Sequence, residues 1–430
     1  MTEKLALGVT RIMHSRSGTA GTDEVIVVTF DDHGTEVTWP RALGFAFAFD
    51  LNSKLPLPDP LVARDGEGWL TLQEGRSSGA SASTLDHSEQ RIRYRFAIAT
   101  GSNDVACSKI NGLRTEVEGL ARWAKKTTVE TRLHFKDREG VTGLELSAKN
   151  LPDHVLGGAF DLRLTTSYSH QPRPKNGVFT ITDWLTVETR TRSRRSWDHH
   201  SAQHRMIQDL MCLAYAFPCA AVMKSAMRHD DQPIDIRNDK RRWWPEAFEP
   251  TFGRGDGSHD LLDNREPLFY LDETAPARVS AWLTGFQQWS RPTWIAVTTL
   301  FQKNSTVESQ LLQIGVALEA LGYAIWRQTN RASRKTPSYP ELLKIVTDAV
   351  GIASAATYGK SKRADLWRDQ FNRAFKGAKH ADNAPVTSNE AIGRARQGFL
   401  LIRCWLALEL GVSKTLLRRR LEEVLTGARR

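Results

Sequence analysis

Apolar and polar residues alternate along many short segments in the first 190 residues of the chain. The clearest segment is Arg91-Ile-Arg-Tyr-Arg-Phe96, in which Ile92, Tyr94 and Phe96 share one side and three arginines share the other. Because successive side chains of a β-strand point to opposite faces, this pattern predicts a half-buried strand. Clusters of Gly, Asp, Ser and Pro separate the segments, which favours an antiparallel sandwich-like or barrel-like domain.

From about residue 276 onward, the apolar residues take the spacing of helices. Within residues 307–326, leucines and isoleucines recur every three or four positions, as they do on the buried side of an α-helix. Thr387–Glu390 supplies a capping box for a later helix, and Gly411 is placed to end it. We predict a bundle of five or six helices in this part of the chain.

These two patterns divide the chain into three predicted parts. Residues 1–190 form a β-rich N-terminal domain, residues 191–275 a connector of helix and loop, and residues 276–430 an all-α bundle. A chain of 430 residues is long enough to hold more than one core. The predicted fold class is therefore α+β with several domains.

Hydropathy and cysteine usage bear on the compartment of the protein. No apolar run approaches the roughly 20 residues that span a bilayer, and the N-terminal segment lacks the apolar stretch of a signal peptide. The four cysteines are scattered and form no CxxC pair, which favours a reducing compartment and disfavours a thiolate zinc site. We therefore expect a cytoplasmic protein with no membrane partner, no metal and no cofactor.

The positive charge of the chain is concentrated in its C-terminal third. The formal net charge is +10, and residues 301–430 hold 22 Lys and Arg against 11 Asp and Glu, a net charge of +11. The preceding 300 residues are close to neutral. This asymmetry indicates a polyanion partner for the helical part, most simply a nucleic acid, although a solvated basic surface without a ligand is the alternative.

Asp365–His380 is predicted to form an amphipathic helix with an Arg and a His near its end. At about 100° per residue, Arg373 and His380 project within about 20° of each other, two turns apart. We expect the pair at the edge of the apolar arc, facing the seam with a neighbouring helix, where a cleft can form. The apolar arc consists of Leu366, Trp367, Phe371, Ala374, Phe375 and Ala378.

A histidine cluster in the connector offers a second candidate site. His199, His200 and His204 lie beside Asp198, and the latter two histidines are spaced to share one face of a helix, as metal ligands do. No glutamate completes an HExxH pattern. The polar start of a helix is the favoured interpretation, and a metal hydrolase at this cluster is the weaker one.

The position of Arg373 and His380, on the third helix from the end of a bundle, resembles the HEPN superfamily (higher eukaryotes and prokaryotes nucleotide-binding). The signature of that superfamily is an Arg and a His separated by four to six residues. Phe375-Lys-Gly-Ala-Lys-His-Ala-Asp382, after a helix that carries Glu319, looks like the ApeA-type branch. Those proteins join a β-rich N-terminal domain to a C-terminal HEPN bundle, which matches the predicted layout.

This resemblance implies a metal-independent endoribonuclease of an anti-phage abortive-infection system. His380 would act as the general acid and base, because the pKa of histidine suits proton transfer near neutrality. Arg373 would clamp the phosphate and the transition state, because its guanidinium stays charged and donates two hydrogen bonds. The expected products carry a 2′,3′-cyclic phosphate and a 5′-hydroxyl.

Other residues take supporting roles in this interpretation. Glu319 and Asn372 would support the catalytic pair. Asn372 precedes the arginine, whereas many active members have a polar residue directly after it, where this chain has Ala374. Three basic side chains near the pair would hold the RNA backbone: Arg368, Lys376 and Lys379.

The resemblance also implies partners. The substrate would be RNA, with tRNA as one candidate, and two bundles would pair into a homodimer or higher homo-oligomer so that both motifs line one cleft. The N-terminal domain would sense a phage-derived protein trigger. One alternative is a non-catalytic HEPN module that binds nucleic acid or nucleotide and dimerises. Another is a purely structural role, in which Arg373 forms an ion pair with Glu319 and His380 only ends the helix.

Overall fold

The fold is described from a computed structural model. It places an antiparallel β-rich region before a helical region that begins at Pro276. The residues that the structure describes are 5–16, 23–42, 58–82, 87–101, 107–136, 140–170, 179–231, 234–236, 240–242, 244–250, 252, 262, 265–330 and 336–426.

Six N-terminal strands form an antiparallel barrel in the order β6-β3-β2-β1-β4-β5. The barrel closes because the last strand in this order, β5, also pairs with the first, β6. Closure is possible because β5 and β6 are long, so that β6 reaches both β3 and β5. The predicted alternation in β6 is confirmed: Ile92, Tyr94 and Phe96 are buried. The barrel strands are β1 (Thr10–Arg16), β2 (Asp23–Asp31), β3 (Gly34–Ala42), β4 (Leu61–Asp65), β5 (Gly68–Ala82) and β6 (His87–Thr100).

A second sheet of five strands follows, in the order β10-β11-β12-β7-β13, with helix α2 packed against β12 and β7. A further pair of strands, β8 and β9, forms a separate hairpin. The elements of this part are β7 (Lys109–Val117), α1 (Leu120–Ala124), β8 (Val129–Lys136), β9 (Gly140–Ala148), β10 (His154–Gly157), β11 (Leu162–His170), β12 (Ile181–Ser196), α2 (Trp197–Tyr215) and β13 (Ala221–Met227).

Short strands lead from this sheet toward the helical region. Strand β16 pairs with β6 at the edge of the barrel, and β14 and β15 pair with each other. These strands are β14 (Ile234–Ile236), β15 (Lys240–Arg242) and β16 (Ala247–Phe248).

The described residues from 276 onward form eight helices, more than the five or six predicted. Gly285 separates two helices where the apolar spacing indicates one, and the four-residue helix α7 is too short to show a period. The helices are α3 (Pro276–Thr284), α4 (Phe286–Phe301), α5 (Val307–Thr329), α6 (Tyr339–Val350), α7 (Ala355–Tyr358), α8 (Ala364–Lys379), α9 (Ser388–Glu409) and α10 (Lys414–Thr426). None of the helices built from described residues is long and apolar enough to cross a membrane.

Two apolar cores stabilise these elements. One fills the barrel, and the other runs without a break from the five-stranded sheet through α2 into the helices. The fold class predicted from the sequence, a β-rich region followed by a helical one, is confirmed, and the β-rich part contains a closed barrel. The division into parts at residues 190 and 275 stays a prediction.

A buried arginine joins the helical region to the β-rich region. Arg403 of α9 donates from Nε to the carbonyl oxygen of Leu213 at 2.6 Å and from Nη2 to that of Ala214 at 2.7 Å. Both carbonyls belong to the last turn of α2. In the same junction, Arg420 of α10 donates from Nη1 to the carbonyl oxygen of Leu268 at 2.7 Å.

Replacing Arg403 with methionine keeps a long side chain but removes both hydrogen bonds. We expect the free energy of unfolding to fall by about 3 kcal/mol, because two buried carbonyls lose a charged donor. Urea denaturation measures this change. Arg419→Met is the matched control: that side chain is 69% exposed on α10, and its loss should change the free energy by less than about 0.5 kcal/mol. Equal effects of the two substitutions would contradict the role of Arg403.

Candidate functional site

Helix α8 is held in the bundle by aromatic residues on one face. Trp367 and Phe371 are fully buried, and the indole Nε1 of Trp367 donates to Oε1 of Gln397 on α9 at 3.0 Å. Phe375 stacks on Tyr339 of α6, with ring centroids 4.7 Å apart. This contact depends on Gly315 of α5, since a Cβ there would lie 2.3 Å from the Phe375 ring.

Arg373 and His380 are both exposed, unlike these aromatic residues. Arg373 follows Phe371 by two positions, or about 200° around the helix. The prediction of a position at the edge of the apolar arc is therefore wrong for Arg373, and the helical period does not apply to His380, which lies just beyond the helix. The apolar arc predicted from the sequence was too wide, because it included Leu366, which is 38% exposed.

Helix α8 ends one residue earlier than predicted, so His380 lies just outside it. The helix ends at Lys379, and His380 is its C-cap with φ −125° and ψ 123°. Its backbone N–H still donates to the carbonyl of Lys376 at 3.0 Å. Its φ departs from the helical value by about 60°, so the direction of the imidazole is set by the cap and not by the helical period.

The turn after α8 folds back closely on the helix. A Cβ at Gly377 would lie 2.5 Å from the carbonyl oxygen of Ala384, so glycine is required at that position for the observed approach. The backbone N–H of Asn383 donates to the carbonyl oxygen of His380 at 3.2 Å. These two contacts fix the backbone that carries the candidate catalytic histidine.

The side chain of Arg373 is unpaired within the part of the chain that the structure describes. In particular, no ion pair joins it to Glu319 there, which argues against the alternative that the two residues pair. Glu319 is exposed on α5, one turn beyond Gly315. Burial, together with the nearby charge of Glu319, raises the pKa of Tyr339, so Glu319 lies beside the tyrosine that stacks on α8.

The other predicted site residues differ in how accessible they are. Lys376 and Lys379 are exposed, and Nζ of Lys379 lies 5.7 Å from the ring centroid of Phe375. Arg368 is half-buried and donates from Nη1 to Oγ1 of Thr347 on α6 at 2.9 Å. Asn372 is half-buried, and its Oδ1 has no hydrogen-bond partner among the described residues.

Four cavities of about 550 to 660 Å³ are lined by described residues, and neither Arg373 nor His380 borders any of these four. The last turns of α8 and its C-cap carry an exposed Arg, an exposed His and two exposed lysines.

The histidine cluster has a different environment from the one predicted. His200 and His204 are buried rather than part of a polar helix start, and Thr189 Oγ1 shares hydrogen bonds with Nδ1 of His200 at 2.8 Å and Nε2 of His204 at 2.9 Å. Nδ1 of His204 shares another with Thr115 Oγ1 at 2.7 Å. His199 is exposed. The cluster is a buried hydrogen-bond network, and no metal-binding group occurs among the described residues.

The chain is a two-part protein in which antiparallel sheets precede a helical region with an exposed Arg–His pair. A family model, ApeA N-terminal domain 1, matches residues 62–282. The chain therefore belongs to this family and is an ApeA-like anti-phage protein. The match ends within α3, so Arg373 and His380 lie outside it. Searches of curated proteins and of solved structures give no significant match.

Replacing Gly377 with alanine tests the close return of the chain after α8. Alanine has the higher helix propensity, but its Cβ would collide with the backbone at Ala384. We expect thermal unfolding at a lower temperature and a displaced His380. Gly393→Ala on α9 is the matched control: no atom lies within 4 Å of a Cβ there, so it should stabilise the protein by up to about 1 kcal/mol. Stabilisation by both substitutions would contradict the close approach.

The buried histidines predict a pH dependence of stability. Burial lowers the pKa of His200 to about 4 and that of His204 well below its ordinary value, whereas an unfolded histidine titrates near pH 6.5. The unfolded chain thus binds more protons between those values. The stability present above pH 6.5 is lost as the pH falls toward 4, by up to about 1.4 kcal/mol per pH unit for each histidine.

Urea denaturation at pH 5, 6 and 7.5 measures this slope. His200→Asn keeps a donor near the position of Nδ1 but cannot be protonated, so we expect a slope shallower by about one proton. His199→Asn, at the exposed neighbour, should leave the slope unchanged. A native slope of zero in this window would show that the two histidines are not neutral and buried.

Proposed function

We propose that this ApeA-like anti-phage protein is a metal-independent endoribonuclease and that Arg373 and His380 carry its chemistry. The observation that supports this proposal is the exposure of both side chains at the C-terminal end of α8, with no carboxylate paired to Arg373 among the described residues. An unpaired guanidinium can bind a phosphate, since it does not first have to leave a carboxylate.

The two side chains supply what cleavage of an RNA phosphodiester requires. His380 removes the proton of the 2′-hydroxyl and then delivers a proton to the leaving 5′-oxygen. Arg373 donates to the phosphate oxygens, whose negative charge grows in the phosphorane transition state. The attack of the 2′-oxygen on phosphorus breaks the bond to the 5′-oxygen and leaves a 2′,3′-cyclic phosphate. The reaction consumes no water and requires no metal ion.

A second copy of the chain would complete the site. Arg373 and His380 are seven residues apart, or about 10 Å along the helix axis, and both are exposed. If two α8 helices cross in an antiparallel manner near the exposed Lys376, Arg373 comes beside the partner subunit's His380. Such a homodimer would form a cleft between the two copies and would exclude water from the reacting phosphate.

The basic surface around the pair suits RNA as the substrate. Lys376 and Lys379 are exposed on the last turns of α8, and residues 301–430 carry a net charge of +11. Lysines at this position attract the phosphates that flank the cleaved bond. Arg368 takes a smaller part in this proposal, because its guanidinium is bonded to Thr347.

The β-rich region would hold the nuclease inactive until a phage component binds. The continuous core from the five-stranded sheet to the helices supports this part of the proposal, since a change in the sheet can displace helices that share its packing.

A second candidate function is a non-catalytic module that binds RNA and dimerises. The exposure of Arg373 and His380 favours this candidate, as does Ala374, which stands where many active HEPN proteins have a polar residue. In that case the basic surface of α8 binds RNA and no bond is cut.

The test is to incubate the purified full chain with total bacterial RNA in EDTA, with and without phage lysate, and to map the fragment ends. We expect cyclic-phosphate ends from the native protein. His380→Ala should lower the cleavage rate by about 10²- to 10⁴-fold, and Arg373→Ala by about 10²- to 10³-fold. Toxicity on expression should fall with the rate.

Two matched controls replace exposed residues of the same types elsewhere. Arg418→Ala on α10 and His33→Ala in the β2–β3 turn remove exposed side chains and should leave cleavage unchanged. Full cleavage by both site variants would refute the assignment of Arg373 and His380. RNA binding without products, even in phage lysate, would favour the binding module.

A further inference from the structure

The β8–β9 hairpin carries an uncovered apolar face. Among the described strands, β8 and β9 pair only with each other, and nearly every residue of the two strands is exposed. Phe135 is 70% exposed and Leu144 is 59% exposed. A two-stranded hairpin is marginally stable in water unless another surface covers it, so the composition of this hairpin requires an explanation.

The register of the hairpin places its large apolar side chains on one face. Leu133 is opposite Leu144, Phe135 is opposite Val141, and Leu146 is opposite Thr131. Because side chains alternate along a strand and directly opposite residues share a face, all five belong to the same side. The hairpin is therefore amphipathic, and its apolar side faces solvent in a single chain.

The charged residues of the hairpin lie on its other face and are already paired there. Nη2 of Arg132 lies 3.6 Å from Oε2 of Glu130, and Nε2 of His134 lies 3.6 Å from Oε2 of Glu145. Covering the apolar face therefore removes no charged group from water. An apolar surface with no charge does not attract nucleic acid, which leaves burial of apolar area as the reason for a contact here.

We propose that the apolar face of the β8–β9 hairpin is an interface between two copies of this chain, packed face to face. At roughly 100 Å² each, the five apolar side chains expose on the order of 500 Å², as large as the largest apolar patch on a typical monomer. Two copies would bury on the order of 1,000 Å² in total, which reaches the lower limit of a specific interface. The contact would be weak alone and would strengthen any other contact between the same two copies.

The apolar face has apolar residues along its whole length, which suits an arrangement with two-fold symmetry. Phe135 and Val141 lie near the turn, whereas Thr131 with Leu146 and Val129 with Ala148 lie near the base. Rotation about a two-fold axis through the centre of the face places the turn end of one hairpin over the base of the other. Leu133 and Leu144 occupy the centre, at the usual sheet-to-sheet spacing of about 10 Å.

Sedimentation equilibrium of the full chain tests this interface. Leu133, Phe135 and Leu144 are replaced together with threonine, which retains β-propensity. We expect the association constant to fall at least tenfold. The matched control replaces three other exposed apolar residues, Ile12, Val155 and Val222, with threonine and should leave the constant unchanged. An unchanged constant in the hairpin variant, or a native chain that stays monomeric at about 100 µM, would overturn the proposal.

A cross-linking experiment tests which face is covered without removing the apolar patch. The four native cysteines are buried, so a single introduced thiol reports on its own position. Leu133→Cys should give a dimer linked by a short bismaleimide, since backbones about 10 Å apart lie beyond the reach of a disulfide, whereas His134→Cys, on the polar face, should not. Equal cross-linking at both positions would overturn the face-to-face arrangement. A native chain that stays monomeric would also remove the α8 homodimer, but RNA cleavage enters neither readout, so the cleavage assay tests the nuclease separately.

Discussion

The join between the β-rich region and the helical region depends on the carbonyl groups at the C-terminal end of helix α2. The last carbonyl groups of a helix have no partner within it, and this helix ends inside the core. The carbonyl of Cys212 is bonded by Ala216 as the chain turns into a left-handed conformation. The carbonyls of Leu213 and Ala214 accept from Arg403, nearly 200 residues later. A cation at this end of the helix is also favoured by the helix dipole.

Helix α9, which carries Arg403, also contacts α8, the helix of the candidate site. Gly398, just over a turn earlier on α9, allows Phe371 of α8 to approach, since a Cβ there would lie 3.0 Å from the phenyl ring. Gln397 accepts from Trp367 of α8. The position of α8 is thus set by α9, and that of α9 by the end of α2. Among the described residues, this is a path of contacts from the β-rich region to α8, the helix that carries Arg373.

The sequence predicted individual strands and helices better than it predicted how they pair and pack. Alternation identified β6, and the N-cap of α9 at Thr387 is confirmed by its bond to the backbone of Glu390, because both features depend on neighbouring residues. Barrel closure depends on pairing between distant strands, which no local pattern reports. The orientation predicted for Arg373 was wrong, because periodicity gives the direction of an apolar face but not its width. Arg403 resembled any other helical arginine, since its partners are backbone atoms.

Under the proposed function, the exposure of Arg373 and His380 gives a second copy of the chain a role. A phosphoryl transition state gains most from an arginine where water is excluded, because electrostatic interactions weaken in a high dielectric. On an exposed helix face, water competes with Arg373 for the phosphate, so one chain alone would be a poor catalyst. A second copy or a bound RNA would have to cover this face before the two side chains act together. An exposed site of this kind would be inactive by default, which suits a ribonuclease that would otherwise degrade the RNA of its own cell.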